Sequence, residues 1–200
     1  LIELHAVDLA ASGLSAIGKP EGFVERQVTG WVGRWQAALL PESPDAGRVL
    51  AALERIPPSL APTVVHNDFK LDNVMFAADR PELVAVLDWE MTTIGDPLAD
   101  LGLALCYWTL GGASPRAVGP PPEGWLTRDE VIDLYARRTG RDLTHIGWHE
   151  MLGVFKLAVI LQQIYVRWVR GQTQDARFAD FGHRVRLLID RATALAEQAS

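Results

Sequence analysis

The sequence predicts an α+β protein, mostly helical, with a small cluster of strands near its middle. Three observations carry this reading. Apolar residues recur at helical spacing over long stretches, short β-rich runs are confined to residues 63–88, and prolines or glycines punctuate the ends of both. Two hundred residues, 48% of them hydrophobic, suffice for a sizeable core, so residues 1–200 are read as one domain or one large lobe of something bigger.

The opening LIELHAVDLA, residues 1–10, reads as the end of an amphipathic helix. Pro20 and Glu21 then open a long helix in which Val24, Val28, Trp31, Val32, Trp35 and Leu39 share a face, up to Pro41. A shorter helix starts at Ser43 and Pro44, carries Val49, Leu50, Leu53 and Ile56 on one side, and is stopped by Pro57 and Pro58. TVVH (63–66), NVMF (73–76) and LVAVLD (83–88) read as strands, the last two joined by the turn-forming AADRPE. Asp96 before Pro97 is a strong helix start, because the carboxylate caps free N–H groups and proline suits the first turn; this helix runs to about Trp108. Prolines and glycines interrupt every window of 111–124, which is read as a surface loop. Thr127 and Glu130 make a capping box for a helix ending near Gly140, His149 to Arg170 is helical and largely apolar, and Phe178 to about Ala196 forms a last amphipathic helix.

The formal net charge of −6 argues against nonspecific binding to nucleic acid or anionic membranes. A single cysteine, Cys106, excludes an internal disulfide and a cysteine-built metal cage, which fits a reducing compartment such as the cytoplasm. No apolar run reaches the roughly 18 residues of a spanning helix on this reading, so no membrane partner is expected.

VVHNDFKLDNVMF, residues 64–76, places His66, Asp68, Lys70, Asp72 and Asn73 between two apolar runs, more polar groups than a plain turn needs. Asp88 closes an apolar strand 15 positions after Asn73, so a hairpin returning on itself brings Asp88 beside Asn73 and Asp68. Carboxylate and amide oxygens suit a hard cation such as magnesium, which keeps several waters and takes other ligands from phosphates. These residue types fit a nucleotide–metal site.

H-x-D-x-x-x-x-N at 66–73, followed by D-W-E at 88–90 and G-D-P-x-x-D at 95–100, resembles the aminoglycoside phosphotransferase and choline kinase-like superfamily. With FKLAVILQQIYVRW at 155–168, it is similar in particular to the phosphotransferase domains of the acyl-CoA dehydrogenase 10 and 11 type. The resemblance implies the C-terminal lobe of a protein kinase-like fold, with a small β-hairpin cluster at the active site. It implies an ATP-dependent enzyme that uses magnesium to phosphorylate a hydroxyl of a small molecule. By the same resemblance Asp68 is the base, Lys70 steadies the transferring group and His66 orients the loop. Asn73 and Asp88 hold magnesium against the ATP phosphates, and Glu90 is a further candidate ligand. Asp96 and Asp100 are expected to cap a helix and anchor a loop. Asn67 departs from the pattern, where the family commonly has glycine; asparagine tolerates the unusual φ such a position demands.

Other motifs have plainer readings. GLSAIGKP, residues 13–20, imitates a phosphate-binding loop, but Pro20 replaces the metal-binding hydroxyl and no strand precedes Gly13. His145 and His149 have zinc-like spacing without a third ligand, and are expected at a helix start. No strand lysine, partner glutamate or nucleotide-covering loop is recognisable before the motif. The expectation is therefore a lobe whose nucleotide-binding partner lobe is missing from this chain, roughly 130 to 150 residues, leaving these residues alone weakly active or inactive. A noncatalytic ligand-binding or interaction module is the alternative. Aminoglycosides, choline-like amines, sugars and hydroxyacyl thioesters all suit the fold as acceptors, and the acyl-CoA dehydrogenase likeness favours the last.

Overall fold

A computed structural model of the protein describes residues 1–109 and 123–198. Helix α1 (Phe23–Ala37) follows Gly22 and buries Phe23, Val24, Val28, Trp31 and Trp35 along one face. Leu39 lies beyond its end and is exposed rather than on that face. Helix α2 (Gly47–Leu53) starts later than the sequence suggests. Asp45 Oδ1 accepts from the Gly47 N–H, and Ser43 Oγ accepts from the Leu40 N–H, so residues 43–46 stay irregular instead of forming a first helical turn.

The strand cluster is two separate two-stranded sheets. Strand β1 (Thr63–Val65) pairs antiparallel with β4 (Thr93–Gly95), and β2 (Val74–Phe76) forms a hairpin with β3 (Leu83–Val86). The sequence reading missed β4, since Thr93–Ile94–Gly95 is too short to show a period. Gly18 lies against this strand: a Cβ there would meet Thr93 Oγ1 at 2.1 Å and the Ile94 nitrogen at 2.6 Å. Packing of a loop on a strand accounts for the second glycine of the phosphate-loop imitation.

Helix α3 (Pro97–Thr109) begins where expected, with Asp96 Oδ1 accepting from the Leu98 N–H at 2.8 Å. Helix α4 (Arg128–Thr139) has the predicted capping box and ends at Gly140 in a left-handed conformation. Helix α5 (Ile146–Val169) starts three residues before the expected His149, which is thereby buried inside the helix, not at its start. Helix α6 (Phe181–Gln198) begins after a 3-10 turn, Ala176–Phe178, that takes up the expected first residue. Residues 1–10 hold a 3-10 turn, Leu4–Ala6, and no α-helix; the amphipathic pattern there buries His5. Most of the expected 111–124 loop lies outside the described residues.

Helix α5 is the axis of the core. Its Met151, Val154, Phe155, Ala158 and Val159 are buried against α1, α3 and α6, with the Trp35 and Phe155 rings 5.9 Å apart. Leu98, Leu101 and Leu105 of α3 pack with Tyr135 of α4 and Ile146 in a second cluster. Helices α3 and α5 cross at small residues, Gly102 and Gly153. Buried Glu150 takes Arg128 Nε at 2.6 Å and an Arg191 guanidinium nitrogen at 2.7 Å, tying α5 to the start of α4 and to α6. Helix α5 corrects one expectation: by length and composition it is long and apolar enough to cross a membrane. Over half of that stretch is buried within the fold, as in a core helix. Cys106 is fully buried, and burial pushes its thiol up to about 12.

Candidate active site

The loop after β1 is built on one buried carboxylate. Asp100, in the first turn of α3, accepts the His66 N–H on Oδ2 at 2.6 Å and the Asn67 N–H on Oδ1 at 2.8 Å. His5 reaches the same Oδ2 through Nε2 at 3.2 Å, and its Nδ1 pairs with the Tyr135 hydroxyl at 2.6 Å. Asp96 Oδ2 accepts from the Leu60 N–H, fixing the approach to β1; burial raises its pKa, against the lowering effect of these amides. The expected capping and anchoring roles of Asp96 and Asp100 are thus both seen.

His66 is wholly buried and orients the loop without facing solvent. Its Nδ1 accepts from the Asp68 N–H at 3.3 Å, so Nε2 carries the proton and donates to the Leu87 carbonyl at 2.9 Å. The Trp89 ring lies 4.9 Å away. Asn67 has φ 63°, the left-handed conformation its place in the motif requires. Its Nδ2 donates to the Met91 carbonyl at 2.9 Å, a second tie between the two loops.

Asp68 is held from three sides. Tyr107 donates to Oδ1 at 3.1 Å; Lys70 Nζ at 2.6 Å and Asn73 Nδ2 at 2.9 Å both reach Oδ2. Its side chain keeps 21% of its surface, so the carboxylate is open to solvent while its partners fix its direction. Burial, and then the charge of Asp68, push the Tyr107 phenol far above its ordinary range, so it remains a donor. Lys156 on α5 lies beneath the loop, and burial lowers its ammonium pKa while Asp68 and Asp100 raise it.

The hairpin sets the second half of the site. Val74 pairs with Val86, and the Leu87 N–H donates to the Asn73 carbonyl at 2.8 Å, so Asp88 is the next residue after the one bonded to Asn73. Asp88 has φ 65°, and its side chain is exposed with no hydrogen bond or ion pair among the described residues. Asn73 Nδ2 is committed to Asp68, and no hydrogen bond among the described residues uses its Oδ1. One amide oxygen and one solvent-facing carboxylate are hard donors, and they fit a magnesium ion that keeps waters and phosphate ligands. Glu90 sits in the exposed turn Trp89–Met91, and no bond brings it to Asp68 or Asn73. Among the described residues no three His, Cys, Asp or Glu side chains cluster at metal distance, His145 and His149 included.

Two participants escaped the sequence reading. Tyr107 stands seven positions after Asp100, two helical turns along the same face, which is a usable signal. Lys156 is a lone charge in an apolar run, which is another.

A mostly helical lobe with its polar loop and hairpin arranged in this way defines a kinase-like phosphotransferase. The chain belongs to the phosphotransferase enzyme family (APH), whose model matches residues 1–152. Over 88% of the chain it is 32% identical to mouse acyl-CoA dehydrogenase family member 10, and over 86% it is 35% identical to rat acyl-CoA dehydrogenase family member 11. It spans only 17% and 23% of those proteins. A crystal structure from Ralstonia eutropha JMP134, of a protein provisionally assigned as an aminoglycoside phosphotransferase, superposes with a TM-score of 0.82 at 28% identity. That match covers 98% of this chain and 62% of the other.

Proposed function

We propose that the chain is the catalytic lobe of a magnesium- and ATP-dependent kinase that phosphorylates a hydroxyl group of a small molecule. The observation that carries this reading is the Asp68 carboxylate, aimed by Tyr107, Lys70 and Asn73 on a loop pinned to buried Asp100. Asp68 accepts the hydroxyl proton as the acceptor oxygen bonds the γ-phosphorus and ADP leaves. Lys70, drawn against Asp68 in the free site, offers its charge to the transferring group. Asn73 Oδ1 and Asp88 would hold magnesium, with Glu90 as a further candidate; the ion neutralises phosphate charge when bound. Positioning and charge supply the rate, since phosphoryl transfer asks little covalent chemistry of the protein.

The partner in this reading is a nucleotide-binding lobe seated over the hairpin. Its support is a row of exposed apolar side chains, Met75, Phe76, Leu83, Val84, Leu87 and Trp89, beside the site. The names of the relatives favour a hydroxyacyl thioester as acceptor, and the single buried cysteine suits a cytoplasmic setting.

The test is magnesium-dependent conversion of ATP to ADP by the complete protein across a panel of hydroxyl acceptors. Asp68→Asn is expected to lower turnover by about 10²- to 10⁴-fold with folding intact. Ligand binding without nucleotide affinity, and no turnover on any acceptor, would replace this reading with that of a noncatalytic binding module.

A further inference from the structure

The α5 run from Met151 to Leu161 is apolar except for Lys156. This side chain donates from Nζ to the Asn67 carbonyl at 2.9 Å and lies 5.5 Å over the Trp31 ring. The charged groups acting on it are the carboxylates of Asp68 and Asp100 and the cations of Lys70 and Arg34. It makes no direct ion pair among the described residues, so its charge is held at the desolvation cost of a mostly buried site. A core needs no such group; a neutral side chain fills that space more cheaply.

The bond falls at a telling place. The Asn67 carbonyl belongs to the peptide unit that enters Asp68, and the N–H at the other end of the same unit donates to His66 Nδ1. Lys156 and His66 therefore grip the two ends of one peptide plane. Rotation of that plane changes φ of Asp68 and swings its Cα–Cβ bond, and with it the carboxylate. The plane also follows a left-handed non-glycine residue, a conformation that persists only where its surroundings hold it.

We propose that Lys156 is a positioning residue whose ammonium, lodged between the Trp31 ring and the Asn67 carbonyl, fixes the peptide plane that aims Asp68 at the acceptor hydroxyl. This rests on Asp68 being the base, as argued under Proposed function.

The experiment compares wild type with Lys156→Met, which removes donor and charge at similar volume, and Lys156→Arg, which keeps both. In Lys156→Met, kcat is expected to fall about 10- to 100-fold, with both KM values within about threefold and Tm equal or higher. Lys156→Arg is expected to recover most of the loss. Amide hydrogen exchange supplies a readout that needs no substrate. In Lys156→Met the Asp68 amide exchanges faster while the α5 core amides keep wild-type rates. Unchanged exchange at Asp68 overturns the proposal. So does a fall in kcat matched by a lower Tm and global loss of protection, failure of Lys156→Met to fold, or equal losses in the Arg and Met variants. A wild type inactive on every acceptor overturns the kinase reading instead, leaving the exchange result to decide the peptide's anchor by itself.

Discussion

The main-chain N–H of His66 donates to Oδ2 of Asp100 at 2.6 Å, joining residues 34 positions apart in the chain. The Asn67 N–H takes the other oxygen of the same carboxylate. Replacing Asp100 with alanine leaves two buried amides unsatisfied, each costing about 1–3 kcal/mol. Asp100→Ala is expected to lose about 2–5 kcal/mol in urea denaturation, and Asp100→Asn, which retains one acceptor oxygen, a smaller amount. Equal stability of wild type and Asp100→Ala would refute the anchoring role.

Tyr107 bonds Asp68 from α3 through its hydroxyl alone. Because its phenol is pushed far up by burial and by Asp68, the bond persists throughout neutral and alkaline conditions. Tyr107→Phe keeps the ring packing and removes one bond to a charged group, of about 1.5 kcal/mol. Turnover should drop about tenfold with thermal stability nearly unchanged. A variant as active as wild type would show that the Tyr107 contact contributes nothing to aiming Asp68.

Gly102 marks the closest approach of α3 and α5. A Cβ there would meet the His149 carbonyl carbon and oxygen at 2.5 Å, and these backbone atoms cannot turn aside as a flexible side chain would. Gly102→Ala should destabilise by about 1–3 kcal/mol, lowering Tm by roughly 2–4 °C for each kcal/mol. Calorimetry showing an unchanged Tm would mean that the helices can separate without penalty.

His149 is buried with neither ring nitrogen partnered among the described residues, and burial lowers its pKa from 6.5 to about 3. Between those values the unfolded chain carries a proton on this ring that the folded chain does not. Unfolding then takes up protons, so stability declines as pH falls through that window and is insensitive to this group above it. Urea midpoints at about pH 7 and about pH 5 should therefore diverge in wild type, and diverge less in His149→Leu. Identical pH slopes for the two proteins would remove His149 as the cause.

The site was legible from sequence where its groups sit close together in the chain. His66, Asp68, Lys70 and Asn73 fall within eight residues, and the β2–β3 return bonds Leu87, the residue before Asp88, to Asn73. The left-handed Asn67 was legible as well, from its place in the motif. Groups delivered by helix packing were not. Tyr107 and Lys156 reach Asp68 and Asn67 only because α3 and α5 cross at Gly102 and Gly153, and no local periodicity encodes that crossing. His5 and β4 were missed for a related reason, since segments of three residues take their shape from what they pack against.

The buried Cys106 has a practical consequence. With its thiol shut inside α3 and raised far above neutral pH, it has almost no thiolate to offer an alkylating reagent while the fold is closed. Being the chain's sole sulfhydryl, it yields a single signal when labelled. The pace of that labelling is a stopwatch on how often α3 comes loose from the core, and ligands that tighten the lobe will slow it.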